Sequence, residues 1–492
     1  MSTEFCCLED NDWTPFLNDK LDQTHPLVRK LRLLDPSAAA DHLRDDPFTL
    51  SLADVDMDEH ERVHKQRKLV FHAMGCSGDP QHPAPQDAIA TAMAEQLKQN
   101  DPPSFLYHLG DIAYKLEEED ENHKDECADP VTADEHGGGG QGAVELDQPQ
   151  LYDREFYAAY RGYDRRIFAV PGNHDGKYKL DKDSGKLKLK QSSMWHFLVN
   201  FCAPTAQASP DDSQSSGRPT MVQPYPYWLL DTPVAYIIGL YANVSNGGNL
   251  DDPASQNPSD GPQFRWLVNR LKMVKHRNEH RKTNGLLPKA VLLAMHYPPY
   301  SGAPNFLYRG DPRLSKSKNT GDKIVKYANA KPLGTVLQQA FQESGQRPDA
   351  VFSAHAHLYQ RLTYTYEDRS QVPYLIVGSG GHSPVEQLAK GCAPRSHAAE
   401  VTPPPLPAVC PDGLNLGNDR VEVSSYNDRD FGFLRIMVDE ARRQLTGEFC
   451  AVTVDHPAHA TYPDWSQPRA DTPQNPIRYD HFILDMDSHT LV

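Results

Sequence analysis

Five short polar blocks, each closing an apolar run, bring together residue types able to bind a cation or move a proton. They are Gly75-Cys76-Ser77-Gly78, Gly110-Asp111-Ile112-Ala113-Tyr114, Gly172-Asn173-His174-Asp175, His296 and His355-Ala356-His357. Asp111 follows the run Phe105 to Leu109 through Gly110, a residue that lets backbone approach a ligand closely, and a carboxylate there can bridge two cations. Tyr114, three residues on, is within reach of the same ion as a phenolate; its plainer reading is a half-buried aromatic. Asn173 and His174 set an amide oxygen beside an imidazole in a tight turn, where an Asx turn is the simpler account. His296 alone reads as a satisfied histidine. His355 and His357, two apart beyond a strand, point to one side and have the most metal-like spacing in the chain.

The elements that must position these blocks are legible as apolar runs bounded by turn residues. Leu69 to Met74, Phe105 to Leu109, Ile167 to Val170, Val234 to Tyr241, Ala290 to Met295, Ala350 to Ser353 and Tyr374 to Val377 read as buried strands, and Asp87 to Gln99, Gln263 to His276 and Thr335 to Glu343 as helices between them. This is an α/β pattern with its polar blocks beyond the strand C-termini, where open sheets build sites. Phe431 to Val438 and Leu445 to Val454 read as an antiparallel pair. The expected organisation is a polar N-terminal extension over 1–66, a main domain over 67–456, and a C-terminal tail over 457–492 with room for a last strand at Tyr479 to Met486. Loop insertions are expected at about 117–150, 203–221 and 386–425, the first acidic with Gly137 to Gly140 inside it, the last rich in proline.

Bulk properties narrow the partners. A formal net charge of -17 argues against duplex nucleic acid, which needs clustered Lys and Arg, while a metal centre would still admit a small anion. Met1 to Asp19 has neither a basic n-region nor an apolar h-region, and runs such as Val234 to Ala242 are too short for a bilayer. A cytoplasmic protein with no membrane partner is expected; oligomeric state is not legible. The 8 Cys have no disulfide-framework or zinc-site spacing, Cys392 and Cys410 sharing one loop at most.

Taken together, in this order, the blocks resemble the calcineurin-like metallophosphoesterases, and Gly-Asp-x-x-Tyr is most similar to their purple acid phosphatase branch. The resemblance spans roughly Arg67 to Ser383 and includes Tyr374 to Gly381. It implies a four-layer α/β/β/α sandwich of two mixed sheets flanked by helices. It implies two divalent or mixed-valence metal ions, Zn, Mn or Fe, with Asp111 bridging, Asn173, His296 and His355 at one ion, and Tyr114 and His357 with position 76 at the other. His174, oriented by Asp175, would be the catalytic acid. The implied reaction is hydrolysis of a small phosphate mono- or diester by direct attack of metal-bound water.

One block departs from the pattern: Cys76 stands where the family has aspartate. A thiolate ligand, Asp79 swinging in from three residues on, and a weakened first site built on Asp111, Tyr114 and His357 are the alternatives; the last would make the chain an impaired relative that binds metal or phosphate. Gly78 replaces a histidine found in many relatives, and Tyr114 is suited to supply the missing bond. Ala354 stands for a usual glycine and is expected to need local backbone adjustment. Arg361 reads as a structural ion pair before a phosphate contact, and His72, His108 and His382 as strand or loop histidines.

Overall fold

The computed structural model describes residues 48–79, 82–114, 148–176, 193–213, 216–242, 262–303, 333–382, 384–386, 388, 413–452, 454 and 477–492. The acidic stretch expected at 117–147, the proline-rich segment 389–411 with Cys392 and Cys410, and residues 1–47 of the N-terminal extension lie outside them.

In chain order the strands are β1 (Thr49–Ser51), β2 (Lys68–Met74), β3 (Phe105–His108), β4 (Arg166–Ala169), β5 (Trp228–Asp231), β6 (Ala235–Gly239), β7 (Ala290–Ala294) and β8 (Ala350–Ser353). Then follow β9 (Tyr359–Thr365), β10 (Gln371–Val377), β11 (Leu414–Leu416), β12 (Asp419–Asn427), β13 (Phe431–Asp439), β14 (Gln444–Val452), β15 (Ile477–Asp485) and β16 (Thr490–Leu491). They form two mixed sheets, β1-β5-β6-β7-β8-β10-β9-β12-β11 and β16-β15-β14-β13-β2-β3-β4. Parallel runs carry the polar blocks: β2, β3 and β4 in one sheet, β6, β7 and β8 in the other.

The sheets share one apolar core. Phe71 meets Phe352 edge-on with ring centroids 6.0 Å apart, Tyr359 stacks on Phe449 at 4.0 Å, and Trp228 contacts Phe168 at 5.5 Å. Runs buried on both faces are what a strand between another sheet and a helix layer requires. On the outer side of the second sheet the helix Ala84–Gln96, opened by proline, packs on β13 and β14. The helices Pro262–Thr283 and Leu333–Ser344 pack on each other, and Gln338 of the latter donates to the Tyr374 hydroxyl of β10. The architecture is therefore two mixed sheets flanked by helices.

Two readings change. Residues 48–66, assigned to a polar extension, supply β1, which pairs in parallel with β5, and the helices Leu52–Val55 and Met57–Gln66; Phe48 is fully buried. Within the loop expected at 386–425, β11 and β12 form a hairpin that continues the nine-stranded sheet beyond β9. The tail's strand, β15, pairs antiparallel with β14. Arg361 does form an ion pair, with Asp480 at 2.8 Å.

Candidate metal centre

Both parallel runs end facing each other, and loop-to-loop backbone bonds fix them there. Cys76 N donates to Gly110 O at 2.9 Å, Gly75 N to Val377 O at 2.9 Å, and Ala354 N to His296 O at 2.9 Å. Gly110 has φ 92°, and a Cβ on it would lie 2.8 Å from His296 Nδ1, so glycine is what brings the Asp111 loop against the His296 strand. Cys76 (φ 55°), Asp111 (φ 54°) and His355 (φ 63°) all adopt the left-handed conformation. Such strain costs of order 1–3 kcal/mol per residue and gathers at functional sites. Ala354 itself avoids a positive φ; the adjustment expected there falls on His355.

Asp111 is the hub. Its Oδ1 accepts from His174 N at 2.8 Å, while Oδ2 lies 3.1 Å from His296 Nε2 and accepts from the Tyr114 hydroxyl at 3.1 Å. One lobe is made by His296 Nε2 with Asn173 Oδ1 at 3.0 Å and His355 Nδ1 at 3.2 Å. The other holds Tyr114, whose hydroxyl is 3.4 Å from His357 Nε2, and Cys76, whose Sγ accepts from His355 N at 3.2 Å. Cys76, Asp111 and His296 offer ligand atoms all within 4.8 Å of one another and form the buried floor. Asn173, His174, His355 and His357 are half-buried around it.

The donor chemistry fits a cation. His296 Nδ1 lies 2.8 Å from Leu109 O; a carbonyl only accepts, so Nδ1 carries the hydrogen and Nε2 of the neutral ring presents a lone pair. That lone pair faces a carboxylate oxygen, an amide oxygen and a second imidazole nitrogen, a set that repels itself unless a proton or metal ion lies among it. A ring nitrogen tied to a backbone carbonyl is the usual support of a metal-ligating histidine. Charge follows the same logic. Burial opposes ionisation of Asp111, but His296 and His174 hold its carboxyl well below the usual range. Burial opposes protonation of His296, which Asp111 reverses. Burial, then the His382 charge, keeps His357 well below the usual histidine value, hence neutral and able to ligate. Burial and the Asp111 charge push the Cys76 thiol well up, so without a cation it keeps its proton.

Asp175 acts on backbone: its carboxylate accepts from Gly172 N at 2.9 Å and from Ile112 N at 3.1 Å, tying the Asn173 turn to the Asp111 loop. Burial, then the Asp111 charge, pushes it up to about 7. Asp79 is engaged with His82, accepting from its backbone N at 3.0 Å and facing its ring at 3.3 Å. His72 and His108 are buried within β2 and β3, as read from sequence.

Two residues were missed. His382 lines the centre, stacked on Tyr114 at 3.7 Å and edge-on to His357 at 4.8 Å, with Nδ1 2.7 Å from Gly78 O. Its only sequence signal is its place after Gly380-Gly381 beyond β10. Glu155, from the π-helical turn Asp153–Ala158, accepts from Tyr114 N at 2.9 Å. A Cβ at position 78 would overlap that carboxyl, which explains Gly78 there.

No family model matches the chain, and no curated protein matches it. Among solved structures it is similar to one described as GAP50, the anchor in the inner membrane complex of Plasmodium, at 11% identity and a TM-score of 0.41 over 78% of this chain and 84% of that one. It is also similar to the structure of PhoD, at 14% identity and a TM-score of 0.44 over 86% of this chain and 71% of that one. Both likenesses concern overall shape at long range, and the site's chemistry rests on the distances above.

Proposed function

We propose that the chain is a metal-dependent phosphoesterase acting on a small phosphate mono- or diester. The observation that carries this reading is the convergence of His296 Nε2, Asp111 Oδ2, Asn173 Oδ1 and His355 Nδ1 at 3.0–3.2 Å, with Asp111 Oδ2 shared by a second lobe of Tyr114, His357 and Cys76. Asp111, Asn173, His296 and His355 would hold one cation, and Asp111, Tyr114, His357 and Cys76 another. Cations bound there would polarise a phosphoryl oxygen and acidify water.

The chain's own groups do the rest. His174 fixes Asp111 through its backbone N and sets its ring 4.3 Å from that of Tyr114 at the rim, the side from which a leaving oxygen would take a proton from an imidazolium. Asp175 holds the turn that carries His174. Substrate selection falls to the loops beyond the strand ends.

A second reading has its own support: Cys76 is fully buried, and burial with the Asp111 charge favours its neutral thiol where no cation is bound. A chain with that lobe unfilled would bind one ion and serve as a metal- or phosphate-binding protein. The test is hydrolysis of an aryl phosphate and a bis-aryl phosphate by the purified protein and by Cys76→Asp, with Mg, Mn, Fe or Zn added and bound metal counted. Turnover by the natural protein with two ions is expected. No turnover with any metal, together with activity appearing only in Cys76→Asp, would establish the second reading instead.

A further inference from the structure

We propose that Cys76 is a metal ligand through its thiolate and that it makes this centre select borderline-soft ions, Zn(II) or Co(II), over hard ones such as Mg(II) and Mn(II). The inference rests on the centre binding metal and not on its hydrolysing phosphate.

Three independent observations point the same way. Cys76 Sγ, an Asp111 carboxylate oxygen and a His296 ring nitrogen lie within 4.8 Å of one another, and each of these residues is 99% or more buried. In the lobe that Cys76 shares with Asp111, Tyr114 and His357, its thiol and the His357 imidazole make the donor set borderline-soft. Secondly, the sulfur already accepts a hydrogen bond, from His355 N at 3.2 Å; hydrogen bonds to the sulfur tune a ligating thiolate. Thirdly, Cys76 shares the left-handed backbone of Asp111 and His355. Such backbone strain gathers at functional sites, and here it recurs at three neighbouring candidate ligands. The loop is gripped on both sides, Cys76 N donating to Gly110 O and His382 N donating to Cys76 O, each at 2.9 Å.

Binding is an exchange without oxidation: the S–H bond breaks, its proton passes to solvent, and the sulfur lone pair bonds the divalent ion. A Zn–S bond of about 2.3 Å against 2.0–2.2 Å for carboxylate oxygen partly makes up for the shorter side chain.

The decisive experiment is titration of the metal-free full chain with Co(II), followed by near-ultraviolet absorption. A sulfur-to-cobalt charge-transfer band should grow with bound metal and be absent in Cys76→Ser and Cys76→Asp; a band that survives in Cys76→Ser belongs to another cysteine and overturns the proposal. X-ray absorption of the Zn-loaded natural protein needs no variant: a sulfur scatterer near 2.3 Å is expected, and a shell of nitrogen and oxygen alone would also overturn it. In competition, Cys76→Asp should shift the Zn-to-Mn affinity ratio toward Mn by about tenfold or more; an unchanged ratio contradicts the selectivity. Hydrolysis of an aryl phosphate by the Co(II) protein separates the two readings. Turnover without the band leaves the phosphoesterase and removes the thiolate; the band without turnover does the reverse.

Discussion

At the scale of single residues, the centre depends on one oxygen. Asp111 Oδ2 is 3.1 Å from His296 Nε2 and 3.1 Å from the Tyr114 hydroxyl, so it belongs to both lobes, while Oδ1 is taken by His174 N. Asp111→Asn is a clean probe, because asparagine tolerates the left-handed φ of 54° that this position requires. It keeps the shape and removes the charge. We expect bound metal to fall to one ion or none, with affinity down by about a hundredfold or more and the melting temperature of the metal-free chain little lowered. Two tightly held ions in Asp111→Asn would show that the carboxylate does not bridge. Cys76 teaches a related lesson. That a cysteine stands where the family it resembles has aspartate was plain in the sequence, but its meaning was not, because burial, the His355 N–H and the left-handed backbone come only with the fold.

At the scale of elements, β2 and β3 present Cys76 and Asp111 and are themselves stabilised by buried neutral histidines. His72 lies between the Tyr163 hydroxyl at 3.1 Å and Gln96 Oε1 at 3.0 Å, and His108 Nδ1 accepts from Gly110 N, leaving Nε2–H to donate to Ser77 Oγ at 2.8 Å. Burial lowers each from 6.5 to about 3. Between those values the unfolded chain takes up protons that the folded chain refuses. Their stabilisation is therefore fully present above the ordinary histidine value and is lost as pH falls toward the lowered one, at up to about 1.4 kcal/mol per pH unit for each. Denaturant unfolding of the metal-free protein should show this slope, and His72→Gln should flatten it; a flat profile over that window would contradict neutral burial. The strands that carry the polar blocks were legible because short β-branched and aromatic runs end in turn residues. β9 and β12 were not, since Tyr359–Thr365 and Asp419–Asn427 mix polar and apolar residues and gain their burial from neighbouring strands and the facing sheet. His382 was read as a loop histidine because Tyr114, on which it stacks, is distant in the chain. The polar blocks could be read from local pattern; the contacts that surround them could not, since these join elements far apart in sequence.

At the scale of the whole molecule, the site lies between two sheets and is only as well defined as their alignment. One tie is built from the far end of the chain: Asp480 on β15 accepts from the Tyr359 hydroxyl at 2.7 Å and pairs with Arg361 at 2.8 Å and 3.2 Å, both on β9. Beside it, Tyr359 stacks on Phe449 of β14. β9 begins two residues after His357, so slippage between the sheets there would displace a candidate ligand. Burial opposes ionisation of Asp480, and its bond to Arg361 overcomes this to hold the carboxyl below the usual range. Asp480→Ala leaves a largely buried guanidinium and a buried phenol without their acceptor, and we expect a loss of about 3 kcal/mol or more, with weaker metal binding as a consequence of the moved His357. Arg361→Met combined with Asp480→Ala should recover part of that stability, since removing both charges abolishes the uncompensated one. Equilibrium unfolding of the natural protein and the two variants, with and without Zn, decides the matter. If Asp480→Ala costs less than about 1 kcal/mol and leaves Zn affinity unchanged, the alignment of the sheets comes from the apolar core alone, as a surface ion pair would have left it.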